Sequence, residues 1–521
     1  MLKGGERTER SSTTGTRWPA CAGRRRPAGV LLTLVVAFAA FLVAGCFPVA
    51  EVSEAVVLRD ARPGAYASPL SSSAAARFAT RSSSGRPDVT LRLGAVAGAS
   101  VRPLLGVDSG PLAYGDAGSA DVTRQYQEIG VNAIRTHGNA FTFSMSYVYP
   151  DKTADPGDPS SYRFTLSDQA FQAMLDGGFT PYLRLGDGYE RVDPPRTAAE
   201  RRNWVAAAVN LVRHYTRGLW GGFHARLAAV EIWNEPNNLH FWPRPLTTTD
   251  FFALFQDTTM ALRAAFPDLK TGGPGFGPSG SLAPLGKEYV HEFLTYMHAH
   301  AVPLDFVSWH IYSNDHRDFS GGADFYRAEM RDHGYGAAES HITEWNTSTR
   351  GLSSADELAV RSGARGAALD TAAWIALQQS DVAFSSFFKG QDPSMDAPWF
   401  YGLFYADGTP KKPALAFSLW HDFTACERLL GVTVSGASDA RSSLVVLGGK
   451  DAGAGKRMLL LANPTAGSLT WSVSAGGATV GAARLRVRQV SDEDAVVRGF
   501  TPASRVVVIP AYGVQLVTVS R

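Results

Sequence analysis

The chain is poor in cysteine, with Cys21, Cys46 and Cys426 its only three in 521 residues. The first two fall in an N-terminal stretch set apart below, so no disulfide framework is expected in the folded part and its stability has to come from a buried core. Charge of one sign is missing as well. The 50 Lys and Arg against 48 Asp and Glu leave a net charge of +2, too weak a field to draw in nucleic acid or an anionic membrane surface. The 12 histidines show no two-His helical spacing and no cysteine partners of the kind that bind zinc, so metal catalysis has no support and no cofactor is expected. Phosphate-cradling glycine motifs are absent too. Gly272-Gly273-Pro274-Gly275 lacks the Lys-Ser/Thr ending and reads instead as room for a loop that faces a bound molecule.

What is present is apolar mass. At 45% hydrophobic and 11% aromatic residues, the chain can bury one large domain plus a smaller one, and disorder cannot dominate it. The N-terminus is basic through Arg24, Arg25 and Arg26, then apolar from Val30 to Ala44, and ends Val43-Ala44-Gly45-Cys46. This resembles a bacterial lipoprotein signal peptide over residues 1–46. The resemblance implies cleavage before Cys46, lipidation of its thiol, and an extracytoplasmic cell-envelope lipoprotein or secreted protein that meets a membrane only through the anchor. The alternative is an uncleaved signal-anchor helix from Val30 to Ala50. Residues 47–87 are Ser-, Ala- and Pro-rich, as in Ser71-Ser72-Ser73, and read as a disordered tether.

Residues 88–100 alternate as a strand that could pair with the C-terminal β domain. From residue 101 to 422 strand and helix signals then repeat. Eight strands are expected: Arg102 to Asp108, Val131 to His137, Thr180 to Leu185, Ala228 to Trp233, Lys270 to Pro274, Asp305 to Ile311, His341 to Trp345 and Val382 to Phe388. Between them lie helical faces such as Trp204, Ala208, Leu211, Val212 and Tyr215, or Val290, Phe293, Leu294 and Met297. Gly177-Gly178 marks a helix stop, and Ser354 with Glu357 forms a capping box opening a long helix to Gln379. The pattern predicts an α/β fold, a (β/α)8 TIM barrel. Short alternating runs between Gly-rich turns over residues 423–521 predict a C-terminal antiparallel β-sandwich.

The fourth strand ends Trp233-Asn234-Glu235-Pro236 and the seventh Thr343-Glu344-Trp345-Asn346, which brings two glutamates to the C-terminal mouth where barrels carry their sites. Strands four and seven lie nearly opposite each other, so the carboxylates face one another. Acetal cleavage needs such a pair, one protonated to give a proton to the leaving oxygen and one ionised to attack the anomeric carbon. Burial and mutual repulsion are expected to raise the pKa of Glu235, while hydrogen bonds keep Glu344 ionised.

Trp233-Asn234-Glu235-Pro236 resembles the acid/base motif of clan A glycoside hydrolases. Thr343-Glu344-Trp345-Asn346-Thr347-Ser348 resembles the nucleophile strand of glycoside hydrolase family 39, the β-xylosidase and α-L-iduronidase family. Ile134-Arg135-Thr136-His137-Gly138, His310-Ile311-Tyr312, Gly402-Leu403-Phe404 and Asp407-Gly408-Thr409-Pro410-Lys411-Lys412-Pro413 are similar to that family as well, and the likeness spans roughly residues 101–422. It implies a retaining, double-displacement glycoside hydrolase with Glu235 as acid/base and Glu344 as nucleophile. It also implies that Asn234 holds the sugar 2-hydroxyl, that Arg135 braces the nucleophile, that His137 touches the sugar, and that His310 and Tyr312 bind substrate or hold Glu344. Trp345 joins the expected substrate-binding set. The eighth strand, Phe384-Ser385-Ser386-Phe387-Phe388-Lys389, departs from the family, whose xylosidases tend to carry a Trp there. Trp399 could reach in from the following loop instead. Arg184 and Asp187, ending the third strand, read equally well as sugar ligands or as a rim ion pair.

The expected partner is a carbohydrate, cleaved by a β-xylosidase-like enzyme or a related β-glycosidase acting on oligo- or polysaccharide. Two other readings use the same residues: a non-catalytic carbohydrate-binding envelope lipoprotein, and a transglycosylase.

Overall fold

A computed structural model describes residues 86–112, 120–137, 142–395, 401–451, 453 and 455–520. The leader with Cys46, nearly all of the tether, and Trp399 lie outside the described residues.

The first strand, β1 (Val89–Ser100), belongs to a sheet taken up below. The next eight are β2 (Gly106–Asp108), β3 (Ala133–Arg135), β4 (Thr180–Leu185), β5 (Val230–Ile232), β6 (Thr271–Phe276), β7 (Phe306–Tyr312), β8 (Glu339–Asn346) and β9 (Val382–Phe387). They pair in parallel in that order, and β9 closes onto β2 as an eight-stranded barrel. All eight expected strands are present. The first is shorter than its apolar pattern because Arg102 is drawn off the ladder. Its guanidinium donates to the carbonyls of Leu377 and Gln378 at 2.7 and 2.6 Å, which satisfies the end of a neighbouring helix.

Trp204, Ala208, Leu211, Val212 and Tyr215 are buried on the helix Ala198–Arg217, whose start carries a Thr197–Glu200 capping box. Val290, Phe293, Leu294 and Met297 do the same on Pro284–Ala299. The long helix expected from Ser354 to Gln379 is two, Ser354–Ser362 and Ala364–Gln379, broken where Gly363 is extended. The cap is Ser353, whose hydroxyl accepts from the Asp356 amide, one residue before the expected Ser354.

The C-terminal strands are β10 (Arg428–Gly436), β11 (Val445–Lys450), β12 (Arg457–Ala462), β13 (Leu469–Ala475), β14 (Ala478–Thr479), β15 (Leu485–Val490), β16 (Arg498–Phe500), β17 (Val507–Ile509) and β18 (Val514–Val519). With β1 they form one continuous sheet ordered β14-β13-β1-β10-β11-β12-β18-β15-β16, with β17 on β13. Residues from both halves of this sheet share one core, including Leu91, Trp471, Leu459, Val487 and Val517. One pair departs from the antiparallel expectation: β1 runs parallel to β13. Parallel neighbours need a long crossover, and here the whole barrel supplies it. Asp88 pins the register, its carboxylate accepting from the Thr470 amide at 2.8 Å.

Strand alternation also joins the two domains. On β12, Leu459 and Leu461 face the core of the sheet, while Leu460 and Ala462 belong to the cluster that continues through Trp374 and Trp420 into the barrel. Leu460 is fully buried there. Leu460→Ala is expected to lower stability by about 2–5 kcal/mol, read as a fall in urea midpoint. Val508→Ala, at a half-exposed position on the same sheet, should stay within about 0.5 kcal/mol of the parent.

Candidate active site

Inward-facing positions stack in layers from the floor of the barrel to its mouth. Tyr182, Phe306, His341 and Phe384 make an aromatic floor, with Tyr182 stacked on Phe384 at 4.4 Å and Phe306 on His341 at 4.2 Å. Above it lies a charged layer built around Arg135, which is completely buried. Arg135 Nε donates to Glu231 at 2.7 Å, Nη1 to Asp108 at 3.0 Å and to Glu344 at 2.9 Å, and Nη2 to the Asn234 side-chain oxygen at 2.9 Å. Burial alone would lower its pKa. The carboxylates of Glu231, Asp108 and Glu344 outweigh that and hold it well above the ordinary arginine value. Burial likewise pushes Glu231 up, but Arg135 prevails and its carboxyl stays below the usual range. Thr343 Oγ1 adds a 2.8 Å bond to Glu231.

Glycine makes room for this network. A Cβ on Gly275 (φ +64°) would lie 3.1 Å from His310 Nε2 and 3.3 Å from Glu231 Oε1, and one on Gly277 would lie 3.0 Å from Glu235 Cδ. The Gly-rich stretch therefore accommodates charged side chains in the barrel wall rather than a loop facing a bound molecule.

Glu235 ends the fourth barrel strand on left-handed backbone, with φ 46° after Trp233 at φ 79°. Non-glycine residues hold such angles only when their surroundings impose them. Here the Glu235 amide donates to Gly275 O at 2.8 Å, and the Trp233 indole is locked by a 3.2 Å bond to Phe241 O. The Glu235 carboxyl accepts from Asn238 Nδ2 at 3.0 Å and meets His310 Nδ1 at 2.9 Å. Burial raises its pKa to about 7 against the opposing pull of the Asn238 hydrogen bond and the Arg135 charge.

Glu344 ends the seventh strand. Its Oε1 receives Arg135 and lies 3.1 Å from His137 Nε2, and its Oε2 accepts from Tyr312 Oη at 2.9 Å and lies 3.7 Å from His310 Nδ1. Burial, then the charges of Arg184 and Arg135, hold His137 well below the usual histidine range, so it meets Glu344 as a neutral ring. Burial also brings His310 down to about 4. Glu235 and Glu344 each place a carboxylate oxygen within 4.8 Å of the other and of a His310 nitrogen.

The structure therefore brings together Arg135, His137, Asn234, Glu235, His310, Tyr312 and Glu344. It does not bring Trp345 with them. That indole points away from the mouth into the layer between barrel and helices, donating to Ser385 Oγ at 2.7 Å and lying near-parallel to Trp420. Strand parity explains the correction, because consecutive residues face opposite sides and Glu344 has taken the inner one. Phe388 stands at the end of the eighth strand, walled by Tyr312 and Tyr401 and 6.1 Å from the His137 ring. Asp187 is not paired with Arg184. Its oxygens accept from the Ser146 and Asp193 amides, both at 2.8 Å, and so anchor rim loops.

Three participants escape a motif reading: Asp108, Glu231 and Asn238. The first two carried a signal, since a charged residue inside a buried barrel strand needs a partner there and Arg135 occupies an equally buried strand. Asn238 lies past the strand, where only the loop path shows what it reaches.

Two groups among the described residues could hold a cation by spacing alone, Glu235–His310–Glu344 and His291–Glu329–His333. In the first, Arg135 already supplies the positive charge beside the carboxylates. In the second, on the outer helices, both His333 nitrogens are taken, one by the Glu329 carbonyl and the other by Thr295 Oγ1.

An eight-stranded barrel that presents two glutamates to each other from its fourth and seventh strands is the arrangement that clan A glycoside hydrolases share. The family model for glycosyl hydrolases family 39 matches residues 115–336. The chain is 26% identical over 202 residues to a β-xylosidase of Geobacillus stearothermophilus, covering 36% of this chain and 38% of that protein. It is 31% identical over 124 residues to the mouse α-L-iduronidase, covering 23% of this chain and 19% of that protein. The matched region thus spans well under half of either relative. A solved glucosidase from Croceicoccus marinus shares the fold with a TM-score of 0.67 at 22% identity, over 84% of this chain and all of that one. A β-xylosidase from Caulobacter crescentus shares it with a TM-score of 0.59 at 20% identity, over 83% of this chain and 99% of that one.

The Glu235 pKa has consequences that can be measured. A carboxyl titrating near 7 when folded and near its ordinary 4.5 when unfolded favours the folded state at low pH, and that contribution is lost as pH rises through about 7. Glu235→Gln should therefore gain thermal stability relative to the parent between pH 5 and pH 8. Carboxyl-carbon NMR should show one glutamate titrating near 7, absent in Glu235→Gln and moved higher in Asn238→Ala.

Proposed function

We propose that the protein is a retaining β-glycosidase, xylosidase-like in its chemistry. Glu344 attacks the anomeric carbon as the glycosidic C–O bond breaks, and Glu235 gives its proton to the leaving oxygen. A glycosyl ester on Glu344 results. Water then attacks the same carbon, Glu235 takes up its proton, and the ester bond to Glu344 breaks. The observation that carries this reading is that the two carboxyl groups each place an oxygen within 4.8 Å of the other. So close an approach suits direct attack, for which about 5–5.5 Å between carboxyl groups is usual, better than the about 6.5–9.5 Å that admits a water in an inverting enzyme. The divided environments support it as well: a carboxyl raised to about 7 can carry the donated proton at neutral pH.

Asn234 fits the role of holding a sugar hydroxyl. Its side-chain oxygen is fixed by Arg135, and its buried amide nitrogen has no hydrogen-bond partner. We further propose export and tethering through Cys46, supported by the leader pattern. A mass increase on the membrane-associated protein, lost in Cys46→Ala, tests it.

Glu344→Gln should lose at least about 1,000-fold in kcat on an activated aryl β-glycoside while melting like the parent, and a 2-fluoro glycoside should label Glu344 alone. Unchanged turnover in that variant, or NMR showing an inverted first product, overturns the reading. The alkaline limb of kcat/KM should fall near pH 7 as Glu235 loses its proton.

A further inference from the structure

Arg184, on a barrel strand, has guanidinium donors that the protein leaves unused. It lies on β4 with the parity of Tyr182, whose ring reaches across to Phe306, His341 and Phe384, so it too faces the interior. β3 and β4 pair Arg135 with Tyr182. Two residues further toward the mouth, His137 and Arg184 are therefore neighbours, and the Arg184 charge is the strongest of those acting on His137. Arg184 is 1% exposed, yet its Nε and Nη1 have no hydrogen-bond partner.

Of the acids whose charges act on it, the exposed Glu190 makes no hydrogen bond to it and the other two are engaged elsewhere. Asp187 is held by two backbone amides, and Glu231 by Arg135 and Thr343. Burial and the charge of Arg135 push the Arg184 pKa down to about 10, which still leaves it a cation at neutral pH. Attraction to Asp187, and then to Glu231 and Glu190, offsets part of the burial cost but uses neither Nε nor Nη1. An unpaired buried guanidinium is unfavourable for folding alone, and its planar fork matches an oxyanion with two parallel hydrogen bonds.

We propose that Arg184 is a specificity residue that binds an anionic substituent, a carboxylate or a sulfate ester, on the sugar held over Glu344. The proposal rests on the reading of the mouth as a glycosidase site. His137, the neighbour of Arg184 across the two strands, places the fork near the reacting sugar, because its Nε2 lies 3.1 Å from the Glu344 oxygen. The unpartnered His137 Nδ1 and Asn234 Nδ2 supply neutral donors nearby. A neutral sugar would meet Arg184 only through hydroxyls, which bind a charged donor less strongly than an oxyanion does.

The test compares kcat/KM for p-nitrophenyl β-D-glucoside, its 6-sulfate, and p-nitrophenyl β-D-glucuronide. Stabilisation of the protein against heat by D-glucose, glucose 6-sulfate and D-glucuronate is measured in parallel. One anionic compound should be preferred over its neutral counterpart by about 10-fold or more, and which one it is separates carboxylate from sulfate. Arg184→Gln should lower that ratio about 10–100-fold, and Arg184→Lys should keep an intermediate ratio because it retains charge without the fork. Arg184→Met should melt no lower than the parent, whereas a purely structural cation would leave its partners bare and lower the melting point. A preference for the neutral compounds in both assays, or a ratio unmoved in Arg184→Gln, overturns the proposal. Selective binding of the anions with no hydrolysis of any glycoside would instead leave the proposal standing and remove the glycosidase reading.

Discussion

The architecture of the mouth depends on one buried cation. Arg135 holds Asp108, Glu231, Asn234 and Glu344 on a single guanidinium, and these come from three other barrel strands or their ends. Three carboxylates could not be packed inside a barrel without it, since each would lose its hydration and repel the others. A lysine could neutralise charge but could not present donors in so many fixed directions. The same side chain sets the azimuth of Glu344 and turns the Asn234 amide outward, so charge compensation and geometry are one interaction.

That arrangement divides the acids of the barrel into two populations. Glu231 and Glu235 sit four residues apart on the same chain segment, yet burial prevails at one and a cation at the other, and their pKa values move in opposite directions. Glu235 lies just beyond direct reach of Arg135 and is contacted by a neutral imidazole and an amide instead. The left-handed backbone at Trp233 and Glu235 marks the turn out of the strand, and the Glu235 carboxyl beyond it is bonded to Asn238 and His310 rather than to Arg135.

Much of this was legible in the sequence because barrel geometry converts strand order into position. Glu235 and Glu344 announced themselves as acids at the ends of the fourth and seventh strands, and Arg135, His137, His310 and Tyr312 came with recognisable strand ends. Trp345 shows the limit of the motif reading: adjacent residues share a motif and face opposite ways. Gly272 to Gly275 misled for a related reason, because glycine records a need for space without saying what fills it. Asn238, and the split at Gly363, depend on loop path and backbone angle, which composition does not encode. The parallel seat of β1 between β10 and β13 is a long-range pairing set by the whole chain, and no local alternation specifies its direction.

That seat has a temporal side. On a ribosome β1 emerges well before the strands that flank it, and it stays an unpaired edge while the entire barrel is made. Its alternate apolar residues, Val89, Leu91 and Leu93, are meanwhile without the surface they will cover. The sheet is thus closed by strands made before and after the barrel, and it can be completed only once both sets have been made. Severing the chain between barrel and sheet would strand β1 on the wrong fragment, so the two domains, distinct in space, are a single unit of biosynthesis.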